Sequence, residues 1–137
     1  MSYGPSAALQ AAVYQHLLAD AGVSTLVGSA VYDALPAGSL PQTYVTLGPE
    51  EAQDRSDTTA NGALIRFTVT VTTSAAGFGT AKTVAAAICD ALQDAELTLS
   101  RGTLAGLWFE RASAKRTGTG GSLRSVELRF RARVEDA

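Results

Sequence analysis

The stretch L-R-S-V-E-L-R-F-R-A-R-V, residues 123–134, carries the fold. Read as an extended chain, it puts Val126, Leu128, Phe130, Ala132 and Val134 on one side and Ser125, Glu127, Arg129, Arg131 and Arg133 on the other. The first side needs a core. A slip of one residue would bury three arginines, so the register of this strand is strongly specified. The second side is a column of guanidinium groups, which a lone domain can solvate and a subunit of an assembly can use to grip carboxylates on a neighbour.

Working back from this strand, Thr117-Gly118-Thr119-Gly120-Gly121-Ser122 reads as the flexible tip of a hairpin, and Leu104 to Lys115 as its first arm. The phase of that arm breaks, since Leu107 and Phe109 point one way and Ala112 and Ala114 the other; a bulge near Glu110-Arg111 reconciles them. Trp108-Phe109 reads as core, and Leu97-Thr98-Leu99 as a short strand. Leu64 to Thr73 alternates cleanly, Ile65, Phe67, Val69 and Val71 against Arg66, Thr68, Thr70 and Thr72, as a half-buried strand near the sheet centre does.

Two segments have helical spacing. Pro5-Ser6 opens the first, with Leu9, Val13 and Leu17 stacked on one side and Gly22 as its stop, followed by a turn over 23–28. The second runs from an N-cap at Thr80 to about Ala95, with Ala81, Val84, Ala85, Ile88 and Leu92 as its apolar stripe. Between them, Ala30 to Asp33 and Thr43 to Leu47 read as short strands, the latter stopped by Gly48-Pro49. From Pro49 to Gly62 the polar run E-E-A-Q-D-R-S-D-T-T-A-N shows neither period and reads as a long loop, a length that points to a binding surface or disorder. The expected architecture is one α+β domain over 1–137, a mixed, mostly antiparallel sheet of five to six strands with two main helices packed on one face.

Composition narrows the function. The chain has 137 residues, 46% apolar and 18% charged, with a net charge of −2, which argues against a nucleic-acid binder held by bulk electrostatics. The charges are nevertheless sorted: Glu50, Glu51, Asp54 and Asp57 crowd one segment around Arg55, while Lys115, Arg116, Arg129, Arg131 and Arg133 lie late. Opposite-sign patches on one subunit suit a head-to-tail ring contact. One cysteine, Cys89, permits no intrachain disulfide and no cysteine-based metal cluster. The N-terminus has no signal-peptide pattern and no apolar run reaches a membrane-spanning length, so a cytoplasmic site of synthesis and no membrane partner are expected.

Catalytic fragments are weak. Gly77 to Thr83, G-F-G-T-A-K-T, resembles a phosphate loop in its ending, but Ala81 stands where the glycine before lysine is needed, so it reads as a strand-to-helix turn; a nucleotide hydrolase built on it is the enzyme alternative. His16 is the only histidine and reads as a surface residue, and Cys89 as a small buried hydrophobe. The acidic residues at 50–57 lack the glycine turn and terminal glutamate of a calcium loop. No catalytic residue, cofactor or metal is expected, and the residues alone point to a non-enzymatic binding or assembly domain.

The succession A-A-L-Q-A-A-V-Y-Q-H-L-L-A-D-A-G-V (7–23), V-Y-D-A-L-P (31–36), P-Q-T-Y-V-T-L-G (41–48), R-F-T-V-T-V-T (66–72), G-T-A-K-T-V-A-A-A-I-C-D-A-L (79–92) and L-R-F-R-A-R-V-E (128–135) resembles the tail-completion, or tail-terminator, proteins of phages with long non-contractile tails and of gene transfer agents. The resemblance implies a structural subunit of a homo-oligomer, a hexameric ring on the head-proximal end of the tail tube, assembled in the host cytoplasm. Such a ring stops tube growth, docks the head–tail connector protein, contacts the tail-tube protein and lets DNA pass through its pore without specific binding. A head–tail adaptor ring or a tail-tube subunit is the alternative. The family has no motif marking its contacts. From charge alone, Arg129, Arg131, Arg133, Lys115 and Arg116 are the candidate subunit or tube interface, and Glu50, Glu51, Asp54, Arg55 and Asp57 a candidate tube or lumen loop.

Overall fold

A computed structural model describes residues 3–56 and 61–136. The chain runs α1 (Ser6–Ala19), α2 (Ala21–Val27), β1 (Val31–Tyr32), β2 (Thr43–Asp54), β3 (Gly62–Thr73), α3 (Gly79–Leu92), β4 (Thr103–Thr117) and β5 (Leu123–Glu135). The five strands form one sheet in the order β1-β2-β3-β5-β4. β1 is parallel to β2, and the remaining pairs are antiparallel. This is the expected α+β class, and β3 lies at the centre of the sheet.

β5 has the face assignment its alternation requires: Phe130, Ala132 and Val134 are fully buried, and Val126 and Leu128 nearly so. They join Ile65, Phe67, Val69 and Val71 of β3 and the inner stripes of the helices, Leu9, Val13 and Leu17 of α1 and Ala81, Val84, Ile88 and Leu92 of α3, in one apolar cluster. The helices cover one face of the sheet and leave the other open. Strand register sets which residues share that open face, with Arg66 opposite Arg131 and Thr68 opposite Arg129 on β3 and β5.

Several local expectations are corrected. Gly22 does not end the first helix. Asp20 does, in extended conformation, and its carboxylate then accepts from Val23 N at 3.0 Å, capping α2 where a turn was expected. α3 begins at Gly79 with no side-chain cap, so Thr80 lies within its first turn. Leu97 and Leu99 pack partly buried against the core, but their segment forms no strand among the described residues.

The largest correction concerns the acidic segment. β2 continues through Gly48-Pro49 to Asp54 and pairs with β3 along that length, shifting register between Leu47 and Glu50. Proline is tolerated there because β1 pairs only with Val45 and Thr46, so beyond them β2 is an edge whose missing N–H costs no ladder bond. The outer part of this arm is exposed on both faces, so its sequence shows no apolar alternation.

The bulge expected near Glu110-Arg111 is present as a register shift between Phe109 and Arg111, and a second shift lies between Leu104 and Gly106. The β4–β5 tip is a 3₁₀ turn over Thr119–Gly121, and Gly118, Gly120 and Gly121 all have positive φ, a backbone that only glycine adopts without strain.

Candidate assembly interface

The arginine column of β5 lies on the open face, and each of its members meets a different environment. Arg129 Nη2 donates to Glu51 Oε2 on β2 at 3.1 Å, and its Nε lies 3.2 Å from Glu110 Oε1 on β4. Arg66 Nε on β3 reaches the other oxygen of Glu110 at 3.1 Å. The chain Arg66–Glu110–Arg129–Glu51 therefore ties four strands together across the open face. Glu110 occupies this place because it is the extra residue of the β4 bulge.

Arg131 stays exposed and sits over the ring of Trp108, 5.4 Å from guanidinium carbon to centroid. Trp108 in turn lies across Gly106, where a Cβ would fall 2.2 Å from the indole. Trp108 is thus a half-buried cover on the open face rather than a core residue, and its neighbour Phe109 is 42% exposed on the helix side; Leu107 is the residue of this strand that is buried. Neighbouring strand residues alternate faces, so with Leu107 and Phe109 on the helix side Trp108 faces outward. Arg133 folds its guanidinium against Gly62, where a Cβ would lie 2.5 Å from Nη2.

Lys115 pairs with Glu127 at 3.3 Å, largely in water. Arg116 stands directly across from Arg124, whose Nε is buried and has no hydrogen-bond partner among the described residues. Like charges facing each other at the base of a hairpin are unfavourable unless something anionic meets them. The open face as a whole carries Arg66, Arg111, Lys115, Arg129, Arg131 and Arg133 against Glu51, Glu110, Glu127 and Glu135, a cationic excess on a chain of net charge −2.

The acidic residues are not one patch. Glu51 belongs to the open-face network. Glu50 lies on the helix side, where Tyr3 Oη and Ser6 Oγ both donate to its carboxylate and burial raises its pKa above the usual range. Asp54 accepts from the backbone N–H of Ser56 at 3.0 Å and from its hydroxyl at 2.6 Å, which lowers its pKa. Arg55 N donates to Gly62 O at 2.8 Å, closing the arm. Asp57 lies outside the described residues. The expected separation into an acidic loop and a basic strand is thus replaced by interleaved charges, with Arg129 and Glu51 in contact.

The residues passed over in the sequence are Glu110 and Arg66. Their signal was present in the phase break of β4 and the polar side of β3, but their pairing is long-range. His16, expected at the surface, is partly buried and its Nε2 lies 2.8 Å from Ala91 O, which links α1 to α3. Gly77, at positive φ, makes the strand-to-helix turn, and Lys82 Nζ lies 5.7 Å over the Phe78 ring. Among the described residues no group of three or more His, Cys, Asp or Glu is placed to hold a metal ion, and no helix is long and apolar enough to cross a membrane.

A half-covered sheet with a cross-braced charged face suits a contact-making subunit. Residues 11–135 match the family model described as tail completion protein gp17, and the chain belongs to that family. Its role is accordingly structural and tail-related. It is similar to a chain in a solved structure titled "Virion of native gene transfer agent (GTA) particle", with 57% identity over 98% of this chain and 99% of that one and a TM-score of 0.93. No curated protein matches the chain.

Proposed function

We propose that the chain is a tail terminator of a gene-transfer-agent or phage particle. Copies of it close into a hexameric ring at the head–tail junction, cap the head-proximal end of the tail tube, stop its polymerisation and offer a docking face to the head connector. DNA passes through the ring without specific binding, and no catalytic step is required. The observation that carries the reading is the near-complete match, at 57% identity, to a chain of a native gene transfer agent virion.

Within this reading, the cations that the fold leaves outward are the contact set: Arg131, Arg133, Lys115 and Arg116 meet carboxylates of a neighbouring subunit or of the tube. Arg129 contributes indirectly, by bracing the face. The β2–β3 arm, with Glu51 on its open side and Asp54 and Arg55 in its turn, faces the tube or the pore.

Particles lacking this chain, complemented with wild type or with an Arg116→Glu, Arg131→Glu variant, test the proposal by electron microscopy. Wild type is expected to restore tails of uniform length joined to heads, with a six-fold ring at the junction. The variant is expected to give free heads and overlong tails. Density for the chain repeated along the tube would make it a tube subunit, and density on the connector side alone an adaptor. Arg129 is left out of the variant because its reversal would break its own ion pairs with Glu51 and Glu110 and confound folding with assembly.

A further inference from the structure

α3 packs over β3 and β5 and reaches β4, the outermost strand, less closely, with Gln93 at its end accepting from Phe109 N. Between them runs a groove of about 280 Å³. Ala85, Ala86 and Cys89 form its helix wall, and Phe109, Ala112 and Ala114 its strand wall. Its floor is Val126 and Leu128, and Lys82 stands at its rim. Phe109 meets the core only edge-on, its ring 5.9 Å from that of Phe130, and remains 42% exposed.

At the opposite end of the strand order, β1 leads into a loop, D-A-L-P-A-G-S-L-P-Q over 33–42, in which every residue is exposed. Leu35 and Leu40 are 51% and 37% exposed and take no part in the apolar cluster. Pro36 and Pro41 lack N–H groups, so the loop is suited to docking through its side chains rather than as an added strand. An acidic residue, Asp33, stands two positions before Leu35.

An apolar groove with a lysine at one edge of the sheet and an apolar loop with an aspartate at the other are the two unlike patches that a head-to-tail contact needs. They cannot meet within one chain, because the sheet lies between them. We infer that the 33–42 loop of one copy seats Leu35 and Leu40 in the α3–β4 groove of the next copy, with Asp33 toward Lys82. This rests on the ring reading above and adds to it the contact that closes the ring.

Cys89 is the only cysteine and lines the groove, so it can report on what enters it. A Leu40→Cys variant, tested for ring formation by native mass spectrometry and on particles, is oxidised under alkaline conditions, because burial and then Asp90 push the Cys89 thiol up. The expected result is a ladder of disulfide-linked species on a non-reducing gel, extending to the full ring. The ladder should collapse to dimers at most in Leu40→Cys, Cys89→Ser and be several-fold weaker in Leu26→Cys, whose leucine is also exposed but lies on α2. Rings that form without a ladder, or with an equal one from Leu26→Cys, would overturn the contact and leave the ring reading standing. Absence of rings from the wild-type chain, both in solution and on particles, would overturn both.

Discussion

Along β5, Phe130 is wholly buried while Arg129 and Arg131 on either side of it keep contact with water, so one strand divides two kinds of cohesion. On the helix side, neighbours are interchangeable in kind and stability follows from apolar area removed from water. On the open side, stability depends on particular partners: Glu110 serves two arginines and Arg129 two glutamates, and each loss leaves a charge half out of water. The first face specifies the fold of the subunit. The second is polar enough to remain soluble, yet ordered enough to present fixed cations to a partner.

The largest effect is expected at the centre of the buried face. Phe130 stacks on Phe67 at 5.6 Å and receives the edge of Phe109 at 5.9 Å. Phe130→Ala is expected to cost about 3–5 kcal/mol in denaturant unfolding, because rings on three strands cannot all close over the cavity. A loss below 1 kcal/mol would mean that α3 collapses onto the sheet far more readily than its packing suggests.

On the open face, Glu110→Ala strands Arg66 and leaves Arg129 with Glu51 alone; both arginine side chains are 29% exposed. The expected cost is about 1 kcal/mol at low ionic strength, shrinking as salt is added. Lys115→Ala, which breaks a pair 55% and 43% exposed, should change stability little at any salt. Equal effects of the two substitutions, or no salt dependence for Glu110→Ala, would remove the case for a bracing network.

The same division explains what could be read in advance. β5 and the inner stripes of α1 and α3 were legible because a buried face imposes a period on the residues that fill it. The β4 bulge was legible for the same reason, as a break in that period between Phe109 and Ala112. The outer half of β2 was not, since Glu51, Ala52, Gln53 and Asp54 are exposed and a strand without a buried face has no pattern to show. The contact of Glu51 with Arg129 spans 78 positions, so acidic and basic clusters that look separate in the chain are brought into contact by register. α2 was hidden because Gly22 suggests a helix stop, whereas Asp20 two residues earlier both ends one helix and caps the next.

A smaller change sharpens the open face without touching any ion pair. Gly106→Ala would place a methyl group against the Trp108 indole and push it off Arg131. Because the ring is at the end of a rotatable side chain, the stability cost should be about 0.5 kcal/mol. The emission of Trp108, the only tryptophan, should nonetheless shift to the red as the ring enters water. An unshifted spectrum would mean that the indole does not rest on Gly106 in solution.

The smallest effect expected is one of pH, and it separates two carboxylates, Asp136 and Glu50. Arg101 donates to Asp136 from Nε at 3.3 Å and from Nη2 at 2.9 Å, holding that carboxyl below the ordinary aspartate range. Its contribution is therefore present in full above the unfolded pKa and lost as the pH falls through the folded one. Glu50 is the reverse. Burial raises its folded pKa above the ordinary glutamate range, so in the window between the two values the folded state holds more protons and stability falls as pH rises. Glu50→Gln keeps an acceptor for Tyr3 and Ser6 and removes the titration. The variant should accordingly gain on wild type as the pH rises through that window and lose the advantage on acidification, while Asp136→Asn should fall behind wild type at neutral pH and draw level in acid. Thermal unfolding followed across the acid range checks both, and curves that stay parallel for Glu50→Gln would mean that this carboxylate titrates alike in the folded and unfolded chains.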